Sequence, residues 1–527
     1  MTQSFNIDFE PLGRRGTTNP GQTLLDAAQA AGVGLASVCG GVGTCEECRL
    51  RLVNGKLTPP TLIEQAVMSA EDLSAGFRLA CQAEPLSDVK LDIPTESLTT
   101  AQRLQVEGQE TDFALDPMIT TPAAYGFAVD IGTTKLAAYL IHLETGRTVA
   151  KAGAMNPQIA YGEDVISRIA YTNREKNGAR TLQTILVETL NNLLSGMCSE
   201  AHVSPANVLD AVLVGNTVMH HLFAGLAVEQ LGHAPFSPAT TMPLNIPAKD
   251  LGLQLGSGAN IYLPPVVAGY VGADHISMLI AAGAWKSPHN CIALDIGTNT
   301  EIGLVTNGHV TCCSCASGPA FEGAHIHEGM RAAPGAIERI RWLNGKFLWQ
   351  SIENLPPVGI CGSGILDAIA ALQDGNLIKP SGVLKAGVNS RIVIVPSSQT
   401  GIRRDLIITR RDIHEIQLAK SAIRSGVEVL LENAGLTDDD LDEFIVAGAF
   451  GTYLDLRSAV RTGMFPPISI ERFHQVGNAA GIGAKQMLLS VDKRQEAERL
   501  ASKIGYIELT GQPSFTPLFM QHLLLEV

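Results

Sequence analysis

Four cysteines near the N-terminus carry the clearest chemical signal, with the spacing C-x5-C-x2-C-x32-C: Cys39, Cys45, Cys48 and Cys81. The first three share one glycine-rich segment, and the fourth stands alone. A [2Fe–2S] cluster requires four thiolates, and glycines let backbone N–H groups approach the sulfur atoms. Structural zinc is the main alternative, but zinc sites usually pair one C-x2-C with another. The spacing therefore favours the cluster over zinc or inert thiols.

The segments around these cysteines are predicted to be rich in β-structure. Residues 5–10 alternate as in a strand, residues 14–18 can return as its hairpin partner, and residues 23–31 have helical spacing. This region resembles a β-grasp ferredoxin of the adrenodoxin type, and the resemblance assigns all four cysteines as cluster ligands. Residues 1–98 hold seven Lys and Arg against twelve Asp and Glu, a balance of −5 that predicts docking on basic partners.

A second signal is the sequence Asp-Ile-Gly-Thr, which occurs at 130–133 and again 165 positions later, at 295–298. Each copy ends one predicted strand and turns into the next. Gly and Thr can donate hydrogen bonds to phosphate, while Asp130 and Asp295 can hold the waters of Mg²⁺. The repetition predicts two duplicated subdomains that bind ATP phosphates from both sides, rather than two unrelated hairpins. The predicted phosphate-binding residues are Gly132, Thr133, Thr134, Lys135, Gly297, Thr298, Asn299 and Thr300.

This arrangement resembles the superfamily of acetate and sugar kinases, chaperone ATPases and actin (ASKHA). The resemblance places Asn216 in the first connecting segment, Gly448 and Gly451 in the adenosine loop, and residues 477–483 in the final connecting helix. It implies catalytic roles for Asp130, Asp295 and Asn216. The predicted fold class is α/β, a duplicated ribonuclease-H-like ATPase preceded by an α+β ferredoxin domain.

Four further blocks narrow the resemblance to the reductive activators of corrinoid proteins, which join a [2Fe–2S] module to this ATPase fold. The blocks are residues 156–169, 318–323, 361–364 and 411–420. Lys135 departs from the pattern, because a small or hydroxylated residue is expected there. A C-terminal cysteine cluster, which some relatives use for a [4Fe–4S] centre, is also missing from the sequence.

We predict a ferredoxin domain at 1–98, a linker at 99–123, and ASKHA subdomains at 124–285 and 286–527. The linker is polar and threonine-rich. It could let the ferredoxin swing, or it could fold as a short helix near residues 101–107.

The composition limits the kinds of partner and location. The chain has 527 residues, 45% hydrophobic and 17% charged, with a net charge of −14, which disfavours nucleic acid and anionic membranes. The N-terminus lacks a basic start followed by an apolar stretch, and no run spans a bilayer, so we expect a cytoplasmic protein. Ten cysteines in such a compartment indicate metal ligands or buried thiols. A homodimer is possible from the resemblance alone.

Several other residue types suggest chemistry but have simpler explanations. A second metal site could be imagined from Cys312, Cys313, Cys315 and Cys361, although buried thiols are commoner. The histidines that could bind zinc or a corrinoid, but more often serve as core or loop residues, are His220, His221, His325 and His327. Glu322, Asp367 and Asp274 are candidates to position an attacking water.

Taken together, these signals predict an ATP-dependent enzyme that passes an electron from its cluster to a corrinoid protein, reducing Co(II) to Co(I). Three alternatives stay open: activation of another low-potential enzyme, a kinase regulated by a redox sensor, and an ATP-switched scaffold that only docks a ferredoxin. Phosphorylated product would support the kinase. The scaffold predicts no electron transfer stimulated by ATP. The upstream electron donor is not identified by the sequence.

Overall fold

The computed structural model describes residues 4–35, 41–43, 48–94, 97, 108, 113–162, 164–323, 325–385 and 391–525. The chain divides into two compact units. Unit 1 comprises Met1–Arg103 and Pro319–Ile416, and unit 2 comprises Leu104–Gly318 and Gln417–Val527. Residues of the second predicted subdomain are thus grouped with the N-terminal region, and the sequential boundaries stay predictions. Cys39, Cys45 and the possible linker helix lie outside the described residues.

The strands are β1 Phe5–Glu10, β2 Arg14–Thr18, β3 Arg49–Asn54, β4 Phe77–Leu79, β5 Val89–Asp92, β6 Tyr125–Ile131, β7 Lys135–His142, β8 Thr148–Met155, β9 Val208–Gly215, β10 Leu244–Pro247, β11 Asn260–Leu263, β12 Cys291–Ile296, β13 Thr300–Thr306, β14 His309–Cys315, β15 Ala336–Leu343, β16 Lys346–Ser351, β17 Gly359–Ile360, β18 Arg391–Val395, β19 Leu406–Thr409, β20 Glu443–Ala447, β21 Phe473–Gly477 and β22 Gly505–Tyr506.

The α-helices are α1 Leu24–Ala30, α2 Leu62–Val67, α3 Ala70–Ser74, α4 Val165–Arg174, α5 Gly178–Glu200, α6 Thr217–Ala224, α7 Ala248–Leu251, α8 Ala273–Ala281, α9 Gly362–Asp374, α10 Arg410–Ala434, α11 Gly448–Tyr453, α12 Leu456–Arg461, α13 Ala479–Leu489, α14 Val491–Ala501 and α15 Phe515–His522. None of the helices that the structure describes has the length and apolar character needed to cross a bilayer.

The N-terminal part of unit 1 is a small mixed sheet covered by α1. The sheet has the order β2-β1-β5-β3-β4, and β1 pairs antiparallel with β2 and parallel with β5. Helix α1 begins at Thr23, whose hydroxyl accepts from the Asp26 backbone N–H while the Asp26 carboxylate accepts from the Thr23 backbone N–H. The predicted hairpin and helix are confirmed.

This ferredoxin region packs against the later segment of unit 1 through two buried arginines. Arg14 on β2 donates from Nε to the Ala31 carbonyl at 2.8 Å, from Nη1 to the Gly329 carbonyl at 3.0 Å and from Nη2 to the Val358 carbonyl at 2.8 Å. Burial lowers the pKa of Arg14 to about 10, so it remains charged at neutral pH. One side chain thereby ties α1 to two loops more than 300 positions away.

The second arginine, Arg331, belongs to the later segment of unit 1 and contacts the ferredoxin region. Nη1 of Arg331 lies 2.9 Å from Oε2 of Glu10 and donates also to the Pro11 carbonyl, while its backbone N–H donates to the Leu12 carbonyl at 3.3 Å. Arg331 and Glu10 are only 6% and 2% exposed, so the ion pair is shielded from water. We call these contacts of Arg14 and Arg331 the ferredoxin seat.

Unit 2 contains two sheets of the same design. The first has the order β10-β11-β9-β6-β7-β8 and the second β21-β20-β12-β13-β14-β22. In each, three antiparallel strands (β6-β7-β8 or β12-β13-β14) are followed by two parallel ones (β9 and β11, or β20 and β21). This repetition confirms the predicted duplicated α/β fold.

Helices α8 and α13 of unit 2 pack closely against each other. The Ser277 hydroxyl on α8 donates to the Ala480 carbonyl on α13 at 2.6 Å. A Cβ at Gly483 would overlap the Ser277 carbonyl oxygen. The small residues of α13 therefore permit the contact.

The described end of the linker is bound to unit 2. The Asp116 N–H donates to the Leu489 carbonyl at 2.9 Å, and its carbonyl accepts from the Val491 N–H at 2.8 Å. Phe113 and Ile119 pack against the hydrophobic core around α8 and α13. The described end of the linker, residues 113–119, is therefore an ordered part of unit 2.

The ferredoxin seat yields a stability prediction. Arg331→Ala leaves the Glu10 carboxylate buried without its guanidinium, which should cost on the order of 3 kcal/mol. Amide hydrogen exchange should then accelerate in residues 9–14 and 328–332. The control is Arg341→Ala, which removes an exposed arginine of β15. Unchanged exchange in the Arg331 variant would contradict a seat held by this pair.

Candidate functional site

The two predicted aspartates occupy equivalent positions at the ends of β6 and β12. Asp130 pairs with Ala137 on β7 and Val214 on β9. Asp295 pairs with Glu301 on β13 and Ala447 on β20. The second hairpin thus has a carboxylate directly opposite its aspartate where the first has alanine.

Four carboxyl groups interact electrostatically at this place in unit 2: Asp130, Asp274, Asp295 and Glu301. Desolvation raises the pKa of Asp295 to about 6, and desolvation with the charge of Asp295 raises the pKa of Asp274 to about 7. Desolvation and the charges of Asp274 and Asp295 hold the pKa values of Asp130 and Glu301 well above their usual range. Such mutual repulsion favours binding of a cation.

Two of these carboxylates, Asp130 and Asp295, are the residues predicted to hold the waters of Mg²⁺. Within the described part of the chain, no three His, Cys, Asp or Glu side chains are grouped closely enough to bind an ion directly. Mg²⁺ usually keeps several waters and takes one or two carboxylates plus substrate phosphates. The donor set around Asp130 and Asp295 fits that mode of binding.

The two hairpins that are predicted to bind phosphate, called the phosphate hairpins below, differ in length by one residue. The pair Ile131 and Leu136 closes a loop of residues 132–135, whereas Ile296 and Thr300 close a loop of residues 297–299. Lys135, which departs from the family pattern, is the last residue of this longer turn and the first residue of β7. A Cβ at Gly132 would lie 2.5 Å from the Lys135 carbonyl oxygen, which explains the glycine.

Asn216 lies beside the first hairpin. Its Nδ2 donates to Oγ1 of Thr133 at 2.8 Å, and its Oδ1 accepts from the Met219 N–H, so that it caps α6. The structure thus brings Asn216 into hydrogen-bond contact with a predicted phosphate-binding residue. Its catalytic role stays a prediction.

The second hairpin is closed by its own polar groups. The Gly297 N–H donates to the Asn299 carbonyl at 3.2 Å, and the carbonyls of Gly297 and Thr298 accept from the Ser317 hydroxyl. Oγ1 of Thr300 lies 2.8 Å from that same hydroxyl. Ser317 therefore holds this loop in one conformation.

The predicted adenosine loop meets the second aspartate. Gly448 has φ +90° and begins α11, and a Cβ there would overlap Oδ1 of Asp295. Gly451, one turn later, accepts a hydrogen bond from Nε2 of Gln475 at 2.6 Å. Only glycine at 448 allows this backbone to approach the carboxylate.

Sequence reasoning missed two residues of the site. Asn478, the N-cap of α13, donates a hydrogen bond to Asp130 that opposes the rise of its pKa. Glu301 faces Asp295 across the hairpin. An acidic residue six positions after Asp295 was the available signal for Glu301, but the different loop lengths hid the register. Asp274, which the sequence suggested only as a candidate to position water, belongs to this cluster of four carboxyl groups.

The described half of the cysteine site has the separation that a shared metal requires. The Sγ atoms of Cys48 and Cys81 lie 3.5 Å apart, and both residues are buried. Tetrahedral bonds of about 2.3 Å place two sulfurs on one metal about 3.8 Å apart. Nε2 of Gln82 lies 3.6 Å from the Cys81 sulfur, where an N–H donor can tune a cluster. These residues fit the predicted cluster.

A buried ion pair holds the strand that precedes Cys81. Glu64 accepts from Nε and Nη2 of Arg78, each at 2.8 Å, and from the Leu79 N–H at 3.0 Å. Although burial acts to raise it, these hydrogen bonds lower the pKa of the Glu64 carboxyl. The Ala80 N–H then donates to the Cys48 carbonyl at 2.9 Å, which joins the two cysteine segments.

The remaining candidate residues have ordinary contacts. The thiols of Cys312 and Cys313 donate to backbone carbonyls, and desolvation raises the pKa values of Cys312, Cys313 and Cys315. Burial lowers the pKa of His220 to about 3 and of His221 to about 4. The other candidates belong to unit 1: Glu322, His325, His327, Cys361 and Asp367.

The raised pKa values in this cluster of four carboxyl groups predict how the stability of the folded protein depends on pH. Because the folded-state pKa values of Asp274 and Asp295 exceed the unfolded value of 3.8, the folded chain binds more protons, and stability falls as pH rises from about 4 to about 7. In a chelating buffer at pH 8, Asp274→Asn should stabilise the protein by on the order of 1 kcal/mol. Thermal unfolding measures both effects. The control is Asp250→Asn, at an exposed position. If Asp274→Asn destabilises the protein, or changes its stability no more than the control does, the predicted cost of the buried charge is wrong.

The cysteines yield a composition test. We expect about two irons per chain in the anaerobically purified protein and a reduced-state paramagnetic signal. Cys81→Ala should lose both, whereas Cys198→Ala, a buried thiol on α5, should retain them. Iron analysis and electron paramagnetic resonance make the comparison. One tightly held zinc without iron would show that the predicted cluster is wrong.

Residues 9–86 match the 2Fe-2S iron-sulfur cluster binding domain, residues 125–287 match the RACo middle region, and residues 289–527 match the C-terminal domain of RACo, the ASKHA domain. The matches follow one another in order and together cover most of the sequence.

Relatives of similar length agree with these matches. The chain is 29% identical to the corrinoid activation enzyme RamQ of Eubacterium limosum, with 95% of each chain covered. It is 26% identical to a [Co(II) methylated amine-specific corrinoid protein] reductase of Methanosarcina barkeri, with 72% and 73% covered. A solved reductive activator for corrinoid, iron-sulfur protein is 29% identical, with a TM-score of 0.71 over 99% of this chain and 98% of that one. The chain therefore belongs to the RACo family of reductive activators of corrinoid proteins.

Proposed function

We propose that this protein uses ATP to drive one electron from its cysteine-bound cluster to the cobalt of a corrinoid protein, converting Co(II) to Co(I). The observation that carries the proposal is the pair of Asp-Ile-Gly-Thr hairpins in one chain with the ferredoxin. The names of the relatives support the class of acceptor. A homodimer stays a further expectation, based on resemblance alone.

The residues of unit 2 would bind ATP by complementary chemistry. Backbone N–H groups of residues 132–135 and of Thr298 and Asn299 would donate to the phosphates, and α11 with Gly448 would adjoin the adenosine. Asp130 and Asp295 would orient waters around Mg²⁺, which when bound neutralises phosphate charge. Asn216 would keep the Thr133 hydroxyl in position.

The residues of unit 1 would hold the electron carrier. A [2Fe–2S] cluster on Cys39, Cys45, Cys48 and Cys81 would supply one-electron chemistry. Co(II) gains one electron to become Co(I), and an external low-potential donor replaces that electron. Each 59 mV of one-electron shortfall costs about 1.4 kcal/mol, so a few hundred millivolts need an energy source. ATP binding and hydrolysis can supply it by favouring a conformation that binds the acceptor differently.

The chain path offers a route for this coupling. Ser317 and the Gly318 N–H bind the carbonyls of the second phosphate hairpin, and Pro319 is the first residue of the segment that carries the ferredoxin seat. A change in the hairpin on hydrolysis would thus act on the residue that precedes this segment. The ferredoxin would follow that segment through Arg14 and Arg331.

The test is formation of Co(I), followed by absorbance under anaerobic conditions. The substrate is the Co(II) corrinoid protein activated by the Eubacterium limosum relative, mixed with this protein and a reductant too weak to act alone. ATP should give faster and more complete reduction than ADP or no nucleotide. Asp295→Asn should lose ATP hydrolysis and this stimulation while keeping the visible cluster spectrum.

Two outcomes would reject the proposal. Equal reduction with ATP, ADP and no nucleotide would remove the coupling. Phosphorylation of a small substrate without Co(I) formation would point to a kinase instead.

A further inference from the structure

Residues 156–169 are one of the four blocks that resemble the family, and the proposed function gives them no task. They begin directly after β8, the third strand of the first sheet. The structure places two of them, Asn156 and Arg168, against the back of the first phosphate hairpin. Both are completely buried.

Three successive carbonyl groups of the hairpin accept from these two residues. The Gly132 carbonyl accepts from Nδ2 of Asn156 at 2.8 Å, the Thr133 carbonyl accepts from Nη2 of Arg168, and the Thr134 carbonyl accepts from the Asn156 N–H at 2.9 Å. The peptide planes of the loop are therefore fixed from one side.

Arg168 is itself held by several acceptors. Its Nε donates to the Gly162 carbonyl at 3.0 Å, and its Nη1 donates to Oε1 of Gln158 at 3.1 Å. The planar guanidinium thus has one orientation, in which Nη2 reaches Thr133. Asn156 is fixed in the same way, because its Oδ1 accepts from the Gln158 N–H at 3.0 Å.

Fixing the carbonyls has a consequence for an anion. The N–H and C=O of a trans peptide point in opposite directions, so carbonyls turned toward Asn156 and Arg168 leave the N–H groups turned away from them. Successive N–H groups on one side of a loop form an anion-binding concavity, whereas a carbonyl turned toward a phosphate would repel it.

The second hairpin has a simpler version of this arrangement. There the carbonyls of Gly297 and Thr298 accept from Ser317, which also follows the third strand of its sheet. Both repeats therefore fix the phosphate hairpin from the same topological position. Only the first, longer loop uses an amide and a guanidinium.

We infer that Asn156 and Arg168 are positioning residues that hold the 132–135 hairpin in its phosphate-binding conformation. This inference rests on the proposed binding of ATP. Neither residue needs to touch the nucleotide, because each acts through the loop. Loss of either should weaken binding of phosphates but leave binding of adenosine nearly unchanged.

The sharpest variant is Asn156→Asp. It keeps the shape and the oxygen that accepts from Gln158, but it removes the donor to Gly132 and sets a carboxylate oxygen against that carbonyl. Affinity for ATP should fall about ten- to hundredfold, as expected for loss of a buried hydrogen bond. Affinity for adenosine should change less than about twofold. Asn173→Asp, the same change at an exposed site on α4, is the control.

Arg168→Lys provides a second, independent variant. Lysine retains the charge but cannot bond Gly162, Gln158 and Thr133 together. The KM for ATP should rise about tenfold with a smaller fall in kcat, while Arg174→Lys, at an exposed position on the same helix, should match the wild type. The affinities of each variant for ATP and for adenosine are measured by calorimetry in separate titrations, and KM and kcat are measured in an ATP hydrolysis assay.

The outcomes distinguish this inference from the proposed function. If the wild type does not bind ATP, the proposed function fails. If the wild type binds ATP and both variants bind it equally well, only the inference is overturned. Equal loss of ATP and adenosine binding, or failure of both variants to fold, would also overturn it by showing a purely structural role.

Discussion

The desolvation of four neighbouring carboxyl groups, together with the charge repulsion among them, is the constraint on which the ASKHA part of this protein depends. Asp130, Asp274, Asp295 and Glu301 come from three strands and one helix, and desolvation raises the pKa of each. A core built for stability alone would not collect such groups. A cation with its waters among these groups would offset their cost, so the proposed binding of Mg²⁺ and ATP would also stabilise this region.

The two hairpins meet this constraint through the backbone. Each carries its aspartate at the end of a strand, and each has its loop carbonyls bound by residues that follow the third strand. For the first hairpin these residues are Asn156 and Arg168, and for the second Ser317. Duplication of the sheet therefore duplicates both the aspartate and the polar side chains that bind its loop carbonyls. The loop N–H groups then lie close to the cluster of carboxyl groups.

The ferredoxin seat gives the redox half a defined place within unit 1. Arg14 and Arg331 are buried and cross the boundary between the ferredoxin and the 319–416 segment in opposite directions. Buried charged pairs of this kind are weak sources of net stability but tolerate few alternative arrangements. The seat therefore joins the ferredoxin to the 319–416 segment, and both belong to unit 1.

The sequence by itself determined the features that are encoded locally. Cysteine spacing indicated the cluster, the repeated Asp-Ile-Gly-Thr indicated the duplicated ASKHA fold, and strand alternation with helical spacing located β1, β2 and α1. These signals need only neighbouring residues, because turn chemistry, strand alternation and helix capping act over a few positions.

Tertiary structure alone decided which distant residues meet. Glu301 faces Asp295 because one hairpin is a residue shorter than the other, and Asp274 joins them from the start of α8. Arg331 finds Glu10 across 321 positions of chain. Such contacts are set by strand register, helix packing and the burial of charge, which depend on the whole fold and leave no periodic pattern in the sequence.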